Sequence, residues 1–510
     1  MTVSRSQSVG AHVRLKYATL VNFISRVISS LVNLLFIIIV IRRLTVEEFA
    51  IWTLIFKYVG YVLPFVVVYT YWLPRTIGRG VNTAKAGLLL AVSLGLGSTL
   101  IYLGLVYEVS VAFNHPFYIL ALAGLMVLEE YVFKCLSAIS ITHAPQYIGY
   151  SQLTLRIVQT LLAFLLVYLY RMGLYGAVLS VIAGRLAVLV LLFVLNRYII
   201  ESSRLDLNTV KLWVKRSWLP ILTSFITTLA TYDVLIVRVI SGREEPIAYY
   251  GVIAAFLGLT VPALRITSAL YSRLLARRDI RDFYEAYWIS FMLIVPMVVG
   301  ILVYSEPLIA IYSVKYLGAA LALKVFALAM LPELLTRLLR TTLRGLETRD
   351  LEFSSDYGFE LTETALFKVP ILDLALTIVY LALVGLASTV ITKAVLLVAV
   401  WGLVYLLRQT ALIILFVRLL KKEFNVSLDY IALLRMIIKF VIASMGIVIV
   451  GFLFPVKPEV SIWMLMRGLA PMVALSALVY FSLLYVIDDK FKTLLKSSIK
   501  QLKRRGIIGD

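Results

Sequence analysis

Eight charged side chains interrupt long apolar runs: Arg26, Lys57, Arg185, Asp233, Arg238, Arg265, Lys393 and Arg408. A charge at mid-membrane depth costs about 2.5–3.5 kcal/mol on insertion scales, so each should face the protein interior, a wet cavity or a partner. Seven of the eight are basic. Arg engages oxyanions through paired N–H bonds, so such a set suits a ligand with an anionic group. Asp233 is the exception. A buried carboxylate there can bind Na+ or H+, or form a static pair with Arg238 or with a neighbouring helix, and the static pair is the expectation. Glu130 and Lys134, four apart on one helix, read as a structural pair.

Other chemistry is poorly supplied. No Walker A glycine run, dinucleotide fingerprint or metal-ligand spacing occurs. The single cysteine, Cys135, excludes an internal disulfide framework and a Cys-based cluster, and His12, His115 and His143 are scattered. No metal site, cofactor or catalytic residue is expected. A membrane glycosyltransferase or polysaccharide polymerase needs catalytic acids on a sizeable external segment. Beyond Glu47 and Glu48, the only adjacent external acids are Glu244 and Glu245, in a tight turn, so an enzyme is not the expectation.

The elements that hold these residues are membrane helices. Of 510 residues, 62% are hydrophobic and 15% charged, against about 45–50% and about 25% in soluble chains. Spans of roughly 20 apolar residues are predicted at 17–41, 49–73, 85–107, 115–138, 149–170, 172–196, 217–240, 247–272, 284–305, 317–343, 369–387, 388–417, 431–454 and 460–487. The fold class is all-α integral membrane with about fourteen transmembrane helices. The first apolar run is too long for a signal peptide and reads as an uncleaved helix. The net charge of +21 lies mostly in the connections, which argues against nucleic acid as its partner. With the N-terminus inside, about 28 Lys and Arg fall in cytoplasmic connections and about 6 in exterior ones, so both termini are predicted cytoplasmic in a multi-pass cell-membrane protein. The basic tail from Asp488 to Arg505 is expected to lie on anionic lipid headgroups. The acidic connection from Gly345 to Lys368 reads as a solvated loop.

Two stretches echo others about 200 residues away. Arg43-Leu-Thr-Val-Glu-Glu-Phe-Ala-Ile-Trp is matched by Gly242-Arg-Glu-Glu-Pro-Ile-Ala-Tyr-Tyr-Gly, each a charged turn before an aromatic-rich helix start. Met172-Gly-Leu-Tyr-Gly-Ala-Val is matched by Val384-Gly-Leu-Ala-Ser-Thr-Val. A duplicated unit of six helices gives parallel repeats with a site at their interface. The predicted division is 1–216, 217–430 and a C-terminal pair of helices with the tail, 431–510.

The same turns carry a family likeness. Arg42-Arg-Leu-Thr-Val-Glu-Glu-Phe-Ala-Ile-Trp, Met172-Gly-Leu-Tyr-Gly-Ala, Tyr249-Tyr-Gly-Val-Ile-Ala-Ala-Phe and Ile311-Tyr-Ser-Val-Lys-Tyr-Leu-Gly-Ala-Ala resemble, in order, segments of polysaccharide and O-antigen exporters. These belong to the multidrug, oligosaccharidyl-lipid and polysaccharide exporter superfamily. The resemblance implies two pseudo-symmetric six-helix bundles around a V-shaped cavity, two further C-terminal helices, and a flippase for a lipid-linked oligosaccharide. The phosphate headgroup of that cargo would be held by Arg26, Lys57 and Arg265, with Arg185 a further candidate. Asp233 is the candidate ion-coupling carboxylate for Na+ or H+, alongside the static pair as its other reading. Thr45-Val46 departs from the usual Gly-Pro of the first turn. A cation-coupled multidrug exporter of the same superfamily is the alternative.

Overall fold

The computed structural model describes residues 4–78, 81–258, 270, 273–274, 278–347 and 360–504. Among these, every regular element is a helix. Ten helices are long and apolar enough to cross a bilayer, and eleven if the pair Val46–Tyr61 and Pro64–Ile77, bent by 42°, is one span. Arg265 and residues 348–359 of the acidic connection lie outside the described residues.

The chain divides into two compact units, Met1–Gly251 and Val252–Asp510. The first contains α1 (Ser4–Arg43), α2 (Val46–Tyr61), α3 (Ala84–Phe113), α4 (Leu125–His143), α5 (Gln146–Ala163), α6 (Gly173–Ser202), the short amphipathic α7 (Leu207–Arg216) and α8 (Trp218–Leu229, resuming as Asp233–Ser241). α9 (Glu245–Leu257) begins in it. α1 packs along α5, α5 along α6, and α4 against both α3 and α6. α8 stays with the first unit. The reason is docking of α8 on the α2 region: the Tyr61 and Tyr232 rings stack at 4.0 Å, Phe65 meets Phe225 edge-on, and Trp72 Nε1 donates to Ser217 Oγ at 3.0 Å.

The bend after α2 has a local cause. Pro64 has no N–H to continue the helix, and in hydrocarbon the interrupted backbone must find other partners. Tyr131 of α4 donates its hydroxyl to Val62 O at 2.8 Å, and Ser98 of α3 bonds the same hydroxyl at 2.7 Å.

The second unit contains α10 (Arg281–Tyr312), α11 (Ala320–Leu346), α12 (Ala365–Val390), α13 (Ala394–Phe424), α14 (Tyr430–Leu453), α15 (Ile462–Ile487) and the tail helix α16 (Asp489–Arg504). α11 and α13 pack most extensively, and α14 and α15 both dock on α10. Three expectations change here. Met172–Val178 opens α6 whereas Val384–Val390 closes α12, so the second echo joins unlike places. Lys393 is an exposed residue just before α13, outside any span, because the helix starts later than the apolar run suggests. Glu347, expected in a solvated loop, is buried and accepts the Ala365 N–H at 2.8 Å, capping α12.

Candidate functional site

The turn between α1 and α2 is structural in its polar chemistry. Glu48 N–H donates to Thr45 Oγ1 at 3.1 Å and Thr45 N–H to Glu48 Oε2 at 2.9 Å, a reciprocal cap on α2. The other carboxylate oxygen of Glu48 accepts the Leu174 N–H at 3.3 Å, at the start of α6. Gly173, at φ +54°, makes room, since a Cβ there would lie 2.5 Å from that oxygen. One carboxylate therefore caps two helices.

Further along α2 stands Lys57, roughly 16 Å from the helix start at 1.5 Å per residue. Its Nζ donates to Tyr250 Oη at 3.2 Å, sits 4.9 Å from the Tyr250 ring centre and lies 4.0 Å from Asp233 Oδ1. Asp233 is buried at the point where α8 resumes after a tight turn at Ala230–Tyr232. There its Oδ1 accepts the N–H of Val234. An acid at a helix start is favoured by the unpaired N–H groups of that first turn. α9 comes close enough for Tyr250 to reach Lys57 because residue 251 is glycine: a Cβ there would sit 2.3 Å from Thr53 Oγ1 and 2.9 Å from Phe49. Lys57 and Asp233, predicted from sequence as separate sites, are thus neighbours, and Lys57 also bonds the Tyr250 phenol. The partner of Asp233 among the candidates is Lys57, not Arg238.

Arg238 belongs to a different group, at the predicted exterior end. Its Nη2 donates to Glu244 Oε1 at 3.1 Å, and His115 Nε2 lies 2.7 Å from that same oxygen. Burial raises the Glu244 carboxyl, but the bonds and charge of His115 and Arg238 outweigh it and hold it below the ordinary carboxylate range. The guanidinium also covers the Phe113 ring at 4.2 Å. The second Glu-Glu turn is therefore an ionic latch rather than a copy of the first turn's cap.

Arg185 is committed to a partner. It bonds Glu130 of α4, which also lies 3.4 Å from Lys134, as the four-residue spacing predicts. Arg156 of α5 donates to Gln159 at 3.1 Å within electrostatic reach of Arg185. Glu129, beside Glu130, is 5% exposed and neither carboxylate oxygen has a hydrogen-bond partner. Arg26 is exposed on α1.

The second unit holds a cluster of its own. Asp373 of α12 accepts from Arg340 of α11 at 2.7 Å and from Arg408 of α13 at 2.6 Å, and Arg408 also donates to Thr377 at 2.7 Å. Arg337 and Glu333 pair one turn along α11.

These embedded ion clusters sit on a known architecture. The inward-facing conformation of a multidrug resistance MATE family transporter of the MOP superfamily matches with a TM-score of 0.60, over 78% of this chain and 96% of its own, at 14% identity. The outward-facing conformation of such a transporter matches at 0.55, over 81% and 96%, with 15% identity. The fold is that of the MOP superfamily transporters. A further MOP superfamily transporter, from Pyrococcus furiosus, matches at 0.55 over 81% and 96%, at 14% identity; the reverse polarity of its binding pocket is described as suggesting a different function. No protein-family model matches the chain, and no curated protein does either. Nearly all of each solved MOP structure is covered, while roughly a fifth of this chain has no counterpart in it.

Sequence reasoning missed Glu129, Arg156, Glu333, Arg337, Arg340 and Asp373. Asp373 and Thr377, four apart in an apolar run, were a readable signal of a polar helix face. Arg337 and Arg340 sit near the end of a span, where basic residues are ordinary.

Proposed function

We propose that the protein is a secondary transporter that exports its cargo by alternating access and draws its energy from a cation gradient. The observation that supports this reading is the MOP fold, matched over 96% of a multidrug transporter at a TM-score of 0.60. Ionisable residues held inside membrane helices are the usual marks of ion and substrate pathways, and both compact units contain them. The chain lacks a nucleotide-binding motif, so an ion gradient is the fitting energy source. In this reading two six-helix lobes, 1–216 and 217–430, rock about a site between them. Both termini are cytoplasmic, and Asp233 exchanges its contact with Lys57 for a coupling cation. The cargo class is a drug-like organic compound, a reading supported by the multidrug resistance transporters that share the fold.

A second cargo reading rests on a separate observation. Roughly a fifth of the chain has no counterpart in the MOP structures it matches, and two C-terminal helices, α14 and α15, dock on α10. With Arg26, Lys57, Arg265 and Arg185 as cationic contacts for a diphosphate, this favours a flippase for a lipid-linked oligosaccharide. Proteoliposomes loaded in parallel with a fluorescent organic cation and with a polyprenyl-diphosphate oligosaccharide separate the two. Protein-dependent movement of the organic cation supports the exporter. Movement of the glycolipid, weakened by Lys57→Ala, supports the flippase. Movement of neither contradicts both.

A further inference from the structure

Glu129 differs from Asp233 and Glu130, two other acids held within the helix packing of the first unit. Asp233 has an ammonium at 4.0 Å and a helix N–H, and Glu130 has Arg185 and Lys134. Glu129 is buried to 95% of its surface and neither oxygen meets a donor. The group that would naturally answer it, Arg185, is turned to the adjacent Glu130.

The charged groups acting directly on Glu129 are Arg185 of α6 and Glu130 of its own helix, with opposite effects. Lys134 bonds Glu130 and Arg156 bonds Gln159, so neither is spent on Glu129. The nearby phenols are also engaged, Tyr69 with Tyr131 O, and Tyr131 with Val62 O and Ser98. On α3, Gly95 lets Leu128 and Tyr131 of α4 approach to contact distance. Net charge alone would favour an ionised Glu129, because three cations face two acids here. A carboxylate, however, needs its lost hydration replaced by hydrogen bonds, and none reaches it. A metal cation would need several oxygen ligands, and no group of three or more His, Cys, Asp or Glu is assembled among the described residues. A proton needs no ligand shell.

We propose that Glu129 is the proton-binding site of this transporter, protonated while Arg185 is bonded to Glu130. On release the O–H bond of Glu129 breaks, the proton passes to water, and the carboxylate left behind draws Arg185 into a bond shared between the two acids. A swing of one guanidinium between α4 carboxyls then couples proton occupancy to the packing of α4 on α6. This adds a proton site on α4 to the coupling cation proposed at Asp233 and rests on the transport reading, but protonation is measurable without transport.

The test is infrared spectroscopy of the full-length protein in lipid at pH 7, reading the carbonyl stretch of protonated carboxyls that shifts in D2O. Glu129→Gln mimics the neutral acid, so it is expected to fold as wild type does and to lose one such band. Glu130→Gln is expected to lose the same band although Glu129 is present, because Arg185 is then free to pair with Glu129 and ionise it. An unchanged band in Glu129→Gln, or failure of that isosteric variant to fold, overturns the proposal. A band that survives in Glu130→Gln overturns the Arg185 switch. In proteoliposomes, Glu129→Gln should lose the acceleration of cargo flux by a pH gradient and keep gradient-free exchange. Gradient acceleration retained by Glu129→Gln overturns the coupling role. If wild type moves no cargo, the transporter reading fails, and the infrared bands still decide the proton site.

Discussion

Lys57 and Asp233 stand 4.0 Å apart on different helices, both largely withdrawn from solvent, so each offsets part of the cost of burying the other. Removing one leaves an uncompensated charge, which costs more than removing both. Lys57→Met and Asp233→Asn are therefore each expected to lower stability, with a coupling of about 1–2 kcal/mol recovered in the double variant, read from thermal unfolding in detergent. Glu244 gives a pH dependence of definite sign. Its folded carboxyl is held below the ordinary range, so its contribution is fully present above that range and is lost as pH falls through the lowered value. Acidification should release the 241–245 turn, seen as faster amide exchange, and Glu244→Gln should remove the pH dependence. At this scale the sequence was half legible. It singled out Lys57, Asp233, Arg185 and Arg238 as charges out of place in apolar runs, but partners depend on which helices meet. Spacing offered Arg238 as a partner for Asp233, while the fold assigns Arg238 to Glu244 and His115. Glu129 was hidden by its neighbour: two adjacent acids point about 100° apart on a helix, and only the packing of α4 on α6 decides which one meets Arg185.

Helix ends and helix contacts account for motifs that read as family likeness. Thr45→Ala removes one cap bond and should cost about 1 kcal/mol. Glu48→Ala removes the carboxylate bonds to the Thr45 and Leu174 N–H groups and should cost roughly twice that, in the same unfolding assay. Gly251→Val would drive its side chain into Thr53 and Phe49, and overpacking of this kind costs about 1–3 kcal/mol. It should also separate Tyr250 from Lys57. Element positions were legible because a span is a long apolar run, and the predicted ranges fall on the observed helices throughout the described residues. Ends were less so. α13 starts after Lys393 rather than before it, and α1 extends well beyond its apolar stretch, because hydropathy marks what lipid covers and not where backbone bonds stop. The second repeat echo failed for a related reason: Gly-Leu followed by small residues suits either end of a membrane helix.

As a whole, the chain has the MOP fold, with two compact units that each bury ion clusters and a C-terminal pair of helices docked on α10. The class was legible because composition and the distribution of Lys and Arg are properties of the entire chain. Cargo was not, since it depends on a few side chains facing a site whose chemistry varies among proteins of one fold. The central claim is energised transport. It is tested most directly by purified protein in liposomes with an imposed pH gradient, measuring accumulation of a fluorescent organic cation against protein-free liposomes and against the same liposomes after collapse of the gradient by a protonophore. The account predicts accumulation that requires the protein and disappears with the gradient. Accumulation equal to that of protein-free liposomes, with neither the organic cation nor the glycolipid moved, would contradict it.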